Sequence, residues 1–425
     1  MLSVTVALCL LALSCSEAAL KTRQLGVFPI ERPGFTSVFK YDAPDKYDLF
    51  ITTFQAVPGT RDEVHMITDI GSKLDRLATV SSDIISRTVL WPNEIEEIPD
   101  DVSGEEGHLW IASGFLVAGK DDGAISAINP KMDGNRATPT TISIDLDGNP
   151  WFYHRVEWVD MNNDGLKDAL TARARVVSSG IGGSTYDADL VWFENSGSLD
   201  SAPWVPHVVV NGPDCFFRKI ELTLPDKTVK HCVISAQYFS EQLTIAWTDD
   251  PKGSWTDPTQ THFRVIDEGL GHYFDLEVVD LNMDGKLDLL VSVNRNFNGT
   301  MMAYEIPDDF INDEWPRHLL ADGFDGGFGE GRGAPGSGFT FRPASEPDRN
   351  KPLMLLSGDD DGTVYLIQSY DDADVNNWSY FKTALWTVSG TLGAISAVDV
   401  DGDGYEELFL PAWSKGELQV LTFAP

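Results

Sequence analysis

Three short acidic loops contain the residues whose types and spacing most clearly predict chemistry. Each has the pattern Asp-x-(Asp/Asn)-x-Asp-Gly-x-x-(Asp/Glu), and the loops begin at Asp160, Asp280 and Asp399. Side-chain oxygens at positions 1, 3, 5 and 9 can surround a cation such as Ca²⁺, while glycine at position 6 allows the tight turn and the backbone carbonyl of position 7 adds a ligand. The predicted calcium ligands are Asp160, Asn162, Asp164, Leu166, Asp168, Asp280, Asn282, Asp284, Lys286, Asp288, Asp399, Asp401, Asp403, Tyr405 and Glu407.

These loops differ from the EF-hand, which shares the beginning of the pattern. An EF-hand needs a glutamate at position 12 and a helix on each side. Position 12 is Thr171, Val291 or Leu410 here, and the flanking residues have the composition of β-strands. The EF-hand is therefore excluded. A surface turn without a metal would fit one copy, but three copies in the same register favour calcium.

A second group of residues has the types needed to bind and activate an organic molecule. Aromatic, histidine and arginine residues are concentrated in segments that lead into predicted strands, such as Trp151–Arg155 and His272–Phe274. Histidine and tyrosine can polarise a carbonyl or act as base and acid, and arginine stabilises developing negative charge. The predicted catalytic residues are His154, His272, Tyr153, Tyr273, Arg155, Arg218 and Arg332, and the predicted substrate-binding residues are Trp151, Phe152, Phe216, Phe217, Phe274, Phe324 and Phe328.

Several other chemistries are excluded by missing motifs. The chain has no Gly-x-x-x-x-Gly-Lys-(Ser/Thr) phosphate loop and no strand-borne Gly-x-Gly-x-x-Gly followed by a helix. It also lacks the Gly-x-Ser-x-Gly elbow, His-Glu-x-x-His and Cys-x-x-Cys. We therefore expect structural Ca²⁺ and no organic cofactor.

Repetition along the chain defines the elements that position these residues. The first residues of the three acidic loops are 120 and 119 residues apart, as expected if a unit of about 60 residues keeps its metal loop in every second copy. Degenerate copies of the same strand–turn–strand element occur at Gly119–Ile125 and Gly358–Val364. A fixed period of this size is typical of a propeller or a solenoid. Seven units can be drawn, so we predict an all-β fold with a single seven-bladed β-propeller.

The seventh unit is one strand short. The chain reaches Pro425 after three strands of this unit, and the segment Arg23–Ile30 has the pattern of an outer strand. We predict that this N-terminal segment supplies the missing outer strand and closes the ring, which removes exposed sheet edges. The outer strands of other units are marked by a tryptophan followed by a histidine, which we call the Trp–His tag: Trp204 with His207, Trp255 with His262, and Trp315 with His318. We predict that these three histidines are structural.

The three acidic loops between strands resemble the FG-GAP or VCBS repeats of integrin-α-type seven-bladed propellers. The resemblance covers nearly the whole chain after residue 18 and is strongest in units three, five and seven. It implies Ca²⁺ at the loops that join first and second strands, all on one face. The second group of residues would then meet on the opposite face at the mouth of the central channel, unless its aromatic residues only pack the ring. The glycine-rich connection Ala321–Gly338 would be a mobile lid over that mouth or a solvated insertion.

The N-terminal residues predict export. Residues 1–18 contain the apolar run Val4–Leu13 and end in small residues, as a signal peptide does, which leaves residues 19–425 as the propeller. An oxidising compartment favours a disulfide between Cys215 and Cys232. The sequons at Asn298 and Asn377 are predicted glycosylation sites. We expect a secreted protein or one in the lumen of the secretory pathway.

The net charge excludes two classes of partner. The chain has 66 acidic and 31 basic residues, which gives a formal charge of −35. Nucleic acids and anionic membranes would be repelled by this charge. We therefore expect a small-molecule substrate or a glycan as partner, and a monomer or a weak homo-oligomer.

Two classes of function fit these observations. The first is a cofactor-independent enzyme that binds a small, largely apolar molecule at the channel mouth and catalyses a cyclisation or cycloaddition. In its combination of signal peptide, single propeller, sequons and aromatic mouth, the chain resembles the secreted fungal propellers that act as hetero-Diels–Alderases in tropolone–sesquiterpene pathways. The same residues would also suit a lyase or dehydratase that acts on a sugar.

The second class is a non-catalytic binder of carbohydrate or protein, as lectin and integrin-like propellers are. A lectin is expected to repeat its binding residues in several units. The sets of aromatic, histidine and arginine residues differ from unit to unit here. These differences favour one asymmetric site over several equivalent sites, and they therefore favour an enzyme over a lectin.

Overall fold

Seven four-stranded antiparallel sheets make up the described part of the chain. The computed structural model describes residues 20–425 except 118, 132–137, 145–147, 181–182, 330, 344 and 347–348. The sheets are the blades of a ring around a central channel, so the predicted all-β, seven-bladed propeller is confirmed. The predicted signal peptide, residues 1–18, lies outside the described residues.

Blades 1 to 3 contain strands β2 to β13, and each blade runs outward from the channel in chain order. Their bounds are β2 (Pro33–Phe39), β3 (Asp48–Thr53), β4 (Glu63–Ile67) and β5 (Asp83–Ser86) in blade 1; β6 (Pro92–Glu97), β7 (Leu109–Ser113), β8 (Ile125–Ile128) and β9 (Thr140–Thr141) in blade 2; and β10 (Phe152–Val159), β11 (Asp168–Gly180), β12 (Gly183–Glu194) and β13 (Val205–Asn211) in blade 3.

Blades 4 to 7 contain strands β14 to β28, and β1 is the outer strand of blade 7. Their bounds are β14 (Phe216–Thr223), β15 (Val229–Gln237), β16 (Gln242–Thr248) and β17 (Thr261–Glu268) in blade 4; β18 (His272–Val279), β19 (Asp288–Asn294), β20 (Gly299–Glu305) and β21 (Arg317–Phe324) in blade 5; β22 (Gly338–Phe341), β23 (Leu353–Ser357), β24 (Thr363–Ser369) and β25 (Tyr380–Thr387) in blade 6; and β26 (Ser396–Val398), β27 (Glu407–Ala412), β28 (Glu417–Thr422) and β1 (Arg23–Pro29) in blade 7.

Helical structure among the described residues is confined to short pieces in the connections. None of these helices is long and apolar enough to cross a membrane. They are one α-helical turn, α1 (Asp100–Ser103), and the 3₁₀ segments Ile70–Thr79, Leu199–Ser201, Pro258–Gln260, Asp359–Asp361 and Trp413–Lys415.

The innermost strands alternate between the channel and the blade cores. In β10 the charged Arg155 and Glu157 lie on the channel side, and Val156 packs into the core between blades 2 and 3. Arg155 forms ion pairs with Glu94 of β6 and Asp275 of β18. Side chains from three blades therefore meet in one space, and their charges pair because an unpaired charge in a buried channel is costly.

Bulges near the start of the inner strands shift this alternation. Register shifts interrupt the pairing of β2, β6, β10 and β18 with their neighbours. In β10 the shift lies between Tyr153 and Val156, and in β18 it lies between Tyr273 and Asp275. A bulge inserts an unpaired residue and re-aims the side chains beside it. As a result Tyr153 and Tyr273 lie in the blade cores.

Seven hydrophobic clusters fill the interfaces between neighbouring blades. The tryptophans of the Trp–His tag belong to these clusters, and two of them tie the outer connection of their blade to the preceding blade. The backbone N–H of Trp204 donates to the Ile142 carbonyl at 2.8 Å, and the backbone N–H of Trp255 donates to the Met161 carbonyl at 2.9 Å. The tag thus recurs because it repeats a contact between blades.

The histidines of the same tag lie on the outer strands, away from the channel. Each packs flat against a tryptophan and pairs with an acidic residue of the neighbouring strand. This arrangement agrees with their predicted structural role. The sets are His207 with Trp192 and Glu194, His262 with Trp247 and Asp249, and His318 with Trp378 and Glu305.

Blade 7 is closed by the N-terminal strand. Strand β1 pairs antiparallel with β28, and Phe28 lies opposite Leu418. The sheet order β1-β28-β27-β26 makes β1 the outer strand. The predicted segment Arg23–Ile30 is one residue longer than the strand that forms.

The predicted disulfide is wrong. Cys215 and Cys232 are both buried free thiols. In the β14–β15 hairpin Cys232 lies opposite Ile220, five residues beyond Cys215. Five residues of extended strand span about 17 Å, whereas bridged cysteines need Cα atoms within about 7 Å. The register of the hairpin therefore keeps the two thiols apart.

Candidate functional site

The three acidic loops have the same hydrogen-bonded conformation. Each joins the inner strand of a blade to the second strand, in blades 3, 5 and 7. The carboxylate at position 1 accepts the N–H of the glycine at position 6, at 2.9, 2.9 and 3.0 Å. The carboxylate at position 5 accepts the N–H of position 7 at 2.8 Å in all three loops. Each loop therefore holds its oxygens toward its own centre.

The third loop brings three carboxylates together. One carboxylate oxygen each of Asp399, Asp401 and Asp403 lies within 4.8 Å of the others. In the first two loops position 3 is Asn162 or Asn282, whose side-chain oxygens accept the N–H of position 5 at 2.9 and 3.1 Å. Three converging anionic oxygens are a ligand set that suits Ca²⁺, so the residues of the third loop fit this cation best.

The ninth position anchors each loop to the blade. Asp168, Asp288 and Glu407 are buried and accept the N–H of position 2 at 2.8, 2.9 and 3.1 Å. Burial raises the pKa of Asp168 to about 6 and that of Asp288 and Glu407 to about 7. A cation in the loop would favour their charged forms.

Aromatic side chains fill the channel mouth on the opposite face. Phe54 stacks on Trp91 at 4.3 Å, Trp91 stacks on Phe115 at 4.9 Å, and the His154 ring lies 5.4 Å from Phe216. Blades 1 to 5 contribute to this group. The mouth cluster is defined as Phe35, Phe54, Trp91, Phe115, Phe152, His154, Phe216, Tyr238, Phe239, His272 and Phe274.

The mouth cluster has a buried floor and a half-exposed upper surface. Phe152 and Phe216 are 1% exposed, Trp91 is 7% exposed and His154 is 6% exposed. The seven other rings of the cluster are half-buried. The mouth is therefore filled by side chains, and a ligand would lie on top of the rings. Five of the predicted residues belong to the mouth cluster: Phe152, His154, Phe216, Phe274 and His272, which stacks on Tyr238 at 4.3 Å.

His154 is held in its neutral form. Burial, followed by the charge of Arg155, lowers its pKa to about 3. Its Nδ1 atom is buried and has no hydrogen-bond partner among the described residues. A neutral imidazole in this position can accept or donate a hydrogen bond but does not supply positive charge.

Arg155 and Arg218 lie in the channel below the mouth cluster. Arg155 donates two hydrogen bonds to Glu94, at 2.9 and 2.6 Å, and stacks under the Phe216 ring at 4.5 Å. Arg218 lies 3.6 Å from Glu157. Both guanidinium groups are thus engaged within the channel, and that of Arg155 supports the Phe216 ring in the floor of the cluster.

Four predicted site residues lie in blade cores. Tyr153 and Tyr273 turn inward because of the bulges described above, and both are fully buried. Phe217 follows the ordinary alternation of β14 and faces away from the channel into the core between blades 3 and 4. Phe324 ends β21 and packs between blades 5 and 6, under the ammonium group of Lys382. The prediction that these four contact substrate is wrong.

Arg332 and Phe328 lie in the glycine-rich connection after β21. The Arg332 Nε donates to the Gly326 carbonyl at 2.9 Å. The Asn296 side chain donates to the carbonyls of Gly327, Gly329 and Arg332 at 3.3, 3.0 and 2.8 Å. These bonds fix the connection against blade 5. Phe328 is 90% exposed and is outside the mouth cluster.

A turn that sequence reasoning missed forms part of the mouth cluster. The buried carboxylate of Asp214 accepts the N–H groups of Tyr238 and Phe239 at 3.0 and 2.8 Å. Phe239 stacks on Tyr186 of blade 3 at 4.0 Å. Burial raises the pKa of Asp214 to about 7. The only sequence signal was a pair of aromatic residues in a turn between two strands.

Asp359 of blade 6 was also missed. It begins a 3₁₀ turn with φ of 54°, in the left-handed region, and its carboxylate accepts no hydrogen bond among the described residues. Its neighbours Asp360 and Asp361 are both engaged, by Thr391 and by Tyr365. Burial raises the pKa of Asp359 well above its usual range.

Asp359 acts electrostatically on the mouth cluster. After burial, the negative charge of Asp359 is the largest cause that raises the pKa of Tyr238 above its usual value. Tyr238 therefore keeps its proton over the physiological range. Tyr238 is thus a hydrogen-bond donor within the mouth cluster, in the turn between β15 and β16 of blade 4.

A cleft of about 710 Å³ adjoins the mouth cluster between blades 3 and 4. The long β11–β12 hairpin forms one wall, and the turn that carries Phe239 forms the other. Trp151, which was predicted to bind substrate, lies at the base of this cleft under the guanidinium of Arg173. The cleft is lined by Trp151, Arg173, Arg175, Ser184, Thr185, Tyr186, Asp187, Ala188, Asp189, Asn211, Gly212, Phe239 and Ser240.

The two sequons lie on the surface of blades 5 and 6. Asn298 is exposed in the turn between β19 and β20. Asn377 is half-exposed, and its side-chain oxygen accepts the Ser379 N–H at 2.8 Å. Their glycosylation stays a prediction.

No protein family and no curated protein matches the chain. Solved structures match it in fold. The chain is similar to a luciferin-regenerating enzyme, with 12% identity over 88% of this chain and 98% of that chain and a TM-score of 0.41. It is similar to the propeller domain of Cps50 (Swd1) from Myceliophteria thermophila, with 10% identity over 93% and 98% and a TM-score of 0.44. It is also similar to an α-L-arabinanase of Penicillium chrysogenum complexed with arabinobiose, with 12% identity over 95% and 97% and a TM-score of 0.41. These similarities concern the fold alone.

Proposed function

We propose that the protein binds a small, largely apolar organic molecule on the mouth cluster and promotes its cyclisation without an organic cofactor. The observation that carries the proposal is the convergence of seven half-exposed rings from blades 1, 2, 4 and 5 on one surface. Apolar surfaces with a few polar groups are typical of small-molecule sites. The rings belong to one face of an asymmetric ring of blades, so one ligand would bind per protein.

The polar groups at the mouth favour cyclisation over elimination. His154 is buried and neutral, and the raised pKa of Tyr238 means that this phenol keeps its proton. Protonated groups of this kind donate hydrogen bonds to a carbonyl and stabilise the charge that develops on it. Holding two reacting parts together on the rings contributes up to about 7–11 kcal/mol to a bimolecular step. Reaction of the hetero-Diels–Alder type needs only these two contributions.

Binding is tested with Nile red, a neutral dye with fused rings. We expect it to bind the purified protein with increased fluorescence, and Phe274→Ala should weaken binding about tenfold, or about 1.4 kcal/mol. Phe263→Ala is the matched control, because Phe263 is a 40% exposed ring on the outer strand β17. Equal affinities for both variants would contradict a ligand site at the mouth.

Catalysis is tested with an enone that carries a tethered diene and cyclises slowly in buffer. The protein should accelerate formation of the cyclic product, and Tyr238→Phe should lower the rate on the order of tenfold to a hundredfold by removing one donor. The Phe263→Ala variant should keep the full rate. If the dye binds and no substrate of this type is accelerated, the protein is a binder and the catalytic part of the proposal is wrong.

We also propose that the three acidic loops bind structural Ca²⁺, as FG-GAP-type loops do, and that the protein is exported. The three converging carboxylates of Asp399, Asp401 and Asp403 support the calcium proposal. Export is supported by the apolar run in residues 1–18. Expression of the full chain in a eukaryotic host should give a secreted product that begins near residue 19, which N-terminal sequencing checks.

A further inference from the structure

The cleft between blades 3 and 4 exists because one hairpin is longer than its counterparts. Strands β11 and β12 contain 13 and 12 residues, whereas β19 and β20 in blade 5 contain 7 each. The extra residues carry the hairpin beyond the ring. The volume of about 710 Å³ lies within the range of small-ligand sites.

We infer that this cleft binds a neutral saccharide at a site beside the mouth cluster, with which it shares the Phe239 ring. The inference goes beyond the proposed function, since it concerns other polar residues and a different class of ligand. It rests on the charge balance of the cleft, on its hydrogen-bonding groups and on its aromatic walls.

The charges in the cleft cancel. Arg173 pairs with Asp189 at 3.1 Å, and Arg175 pairs with Asp187 at 2.8 Å. Asn211 donates to Asp189 at 2.5 Å. Two cations and two anions thus line a cleft in a chain with a charge of −35. A charged ligand would have to break one of these pairs, and a neutral ligand would not.

The lining offers donors and acceptors side by side. Strand β11 supplies the guanidinium groups, β12 the carboxylates and β13 an amide, so the three types lie next to one another. The hydroxyls of Ser184, Thr185 and Ser240 lie at the rim. A sugar hydroxyl both donates and accepts, so it can bridge an arginine N–H and a neighbouring carboxylate oxygen at once. An apolar ligand would displace water from these groups without replacing the hydrogen bonds that the water makes, which is costly.

Aromatic rings supply the apolar contact that a sugar ring also needs. Tyr186 and Phe239 stack at 4.0 Å and are both half-exposed at the cleft. The guanidinium groups of Arg173 and Arg175 lie 3.9 and 4.5 Å from the Trp151 ring centre. These cation–π contacts hold the arginines in place before a ligand binds, which lowers the entropy cost of binding.

The test uses a panel of trisaccharides and the full-length protein. Maltotriose, xylotriose, cellotriose and arabinotriose are the neutral members, and glucuronic acid and glucosamine are the charged controls. We expect at least one neutral trisaccharide to bind with a Kd below 1 mM in saturation-transfer NMR and calorimetry, and neither charged sugar to bind more tightly. Failure of every neutral trisaccharide to bind would overturn the inference.

Two matched variants locate the binding. Arg175→Ala should weaken saccharide binding at least tenfold. Arg317→Ala should not change it, because Arg317 of blade 5 pairs with Asp267 of blade 4 at 2.8 Å, outside the cleft. Arg175→Ala should leave Nile red binding unchanged. Saccharide binding that survives Arg175→Ala would place the sugar elsewhere and overturn the inference, and this result would not bear on the dye at the mouth.

Discussion

Residues of similar chemistry have different roles in this propeller because their surroundings differ. His154 is buried among rings beside Arg155 and stays neutral, whereas His207 lies on an outer strand and pairs with Glu194. Asp360 and Asp359 are neighbours in one turn, yet only Asp360 accepts hydrogen bonds among the described residues. The chemical role of each side chain is therefore set by what it contacts.

The lowered pKa of His154 predicts acid sensitivity. The pKa is about 3 in the folded protein and about 6.5 in an unfolded chain. Between these values the unfolded chain binds a proton that the folded protein does not. The contribution of His154 to the free energy of unfolding is therefore fully present above pH 6.5 and decreases as the pH falls toward 3. We expect His154→Leu to lose less stability over this range than the wild type, as measured by thermal unfolding in a pH series.

A surface histidine provides the control for this series. His108 lies in the turn before β7, where its ring is in contact with solvent. His108→Leu should keep the wild-type dependence of the melting temperature on pH. Equal slopes for His154→Leu and the wild type would show that His154 titrates normally in the fold.

The two faces of the ring carry different types of side chain because different connections between strands form them. The loops from first to second strands are short, acidic and alike in blades 3, 5 and 7. The connections on the other face differ in length and contribute aromatic residues. Bulges in the inner strands then select which of those aromatic residues reach the mouth.

The calcium proposal predicts metal-dependent stability. Ca²⁺ would bind the folded loops and not the unfolded chain, so its removal with a chelator should lower the melting temperature. Asp401→Asn removes one of the three converging carboxylates of the third loop and should reduce the shift that added Ca²⁺ produces. Calorimetry with and without Ca²⁺ measures both effects.

Asp45→Asn is the control for the loop variant, since Asp45 is an exposed aspartate outside the three loops. It should retain the full Ca²⁺-dependent shift. Identical melting temperatures with chelator and with Ca²⁺ in the wild type would count against a cation in any of the loops.

The molecule as a whole is stabilised by closure of the ring. Seven inter-blade clusters share the apolar burial, and one of them depends on the N-terminal strand. Phe28 of β1 is 4% exposed in this cluster, between blades 7 and 1. Strand β1 also covers β28, which would otherwise be an open edge.

Closure predicts a large effect from a single residue of β1. Phe28→Ala should cost about 3–5 kcal/mol in free energy of unfolding through the cavity it leaves. Gln24→Ala, on the exposed side of the same strand, should cost less than 0.5 kcal/mol, as surface changes usually do. Urea unfolding at fixed Ca²⁺ concentration compares them. Similar costs for both variants would show that β1 does not close blade 7.

The sequence by itself determined the repeat, the fold and the acidic loops. A fixed spacing of the loops and a missing outer strand define seven blades and their closure, because each blade buries its faces only against the next. The loops were predictable since all their oxygens come from nine consecutive residues. These features depend on residues that are near in sequence or related by the period.

The tertiary structure alone decided how the opposite face is built. Bulges moved Tyr153 and Tyr273 into the cores, and the register of the β14–β15 hairpin kept Cys215 and Cys232 apart. The charge of Asp359 raises the pKa of Tyr238, although 121 residues separate them in the chain. Shifts of one residue in a strand exchange its two faces, and contacts across the ring have no local signal, so neither follows from the sequence pattern.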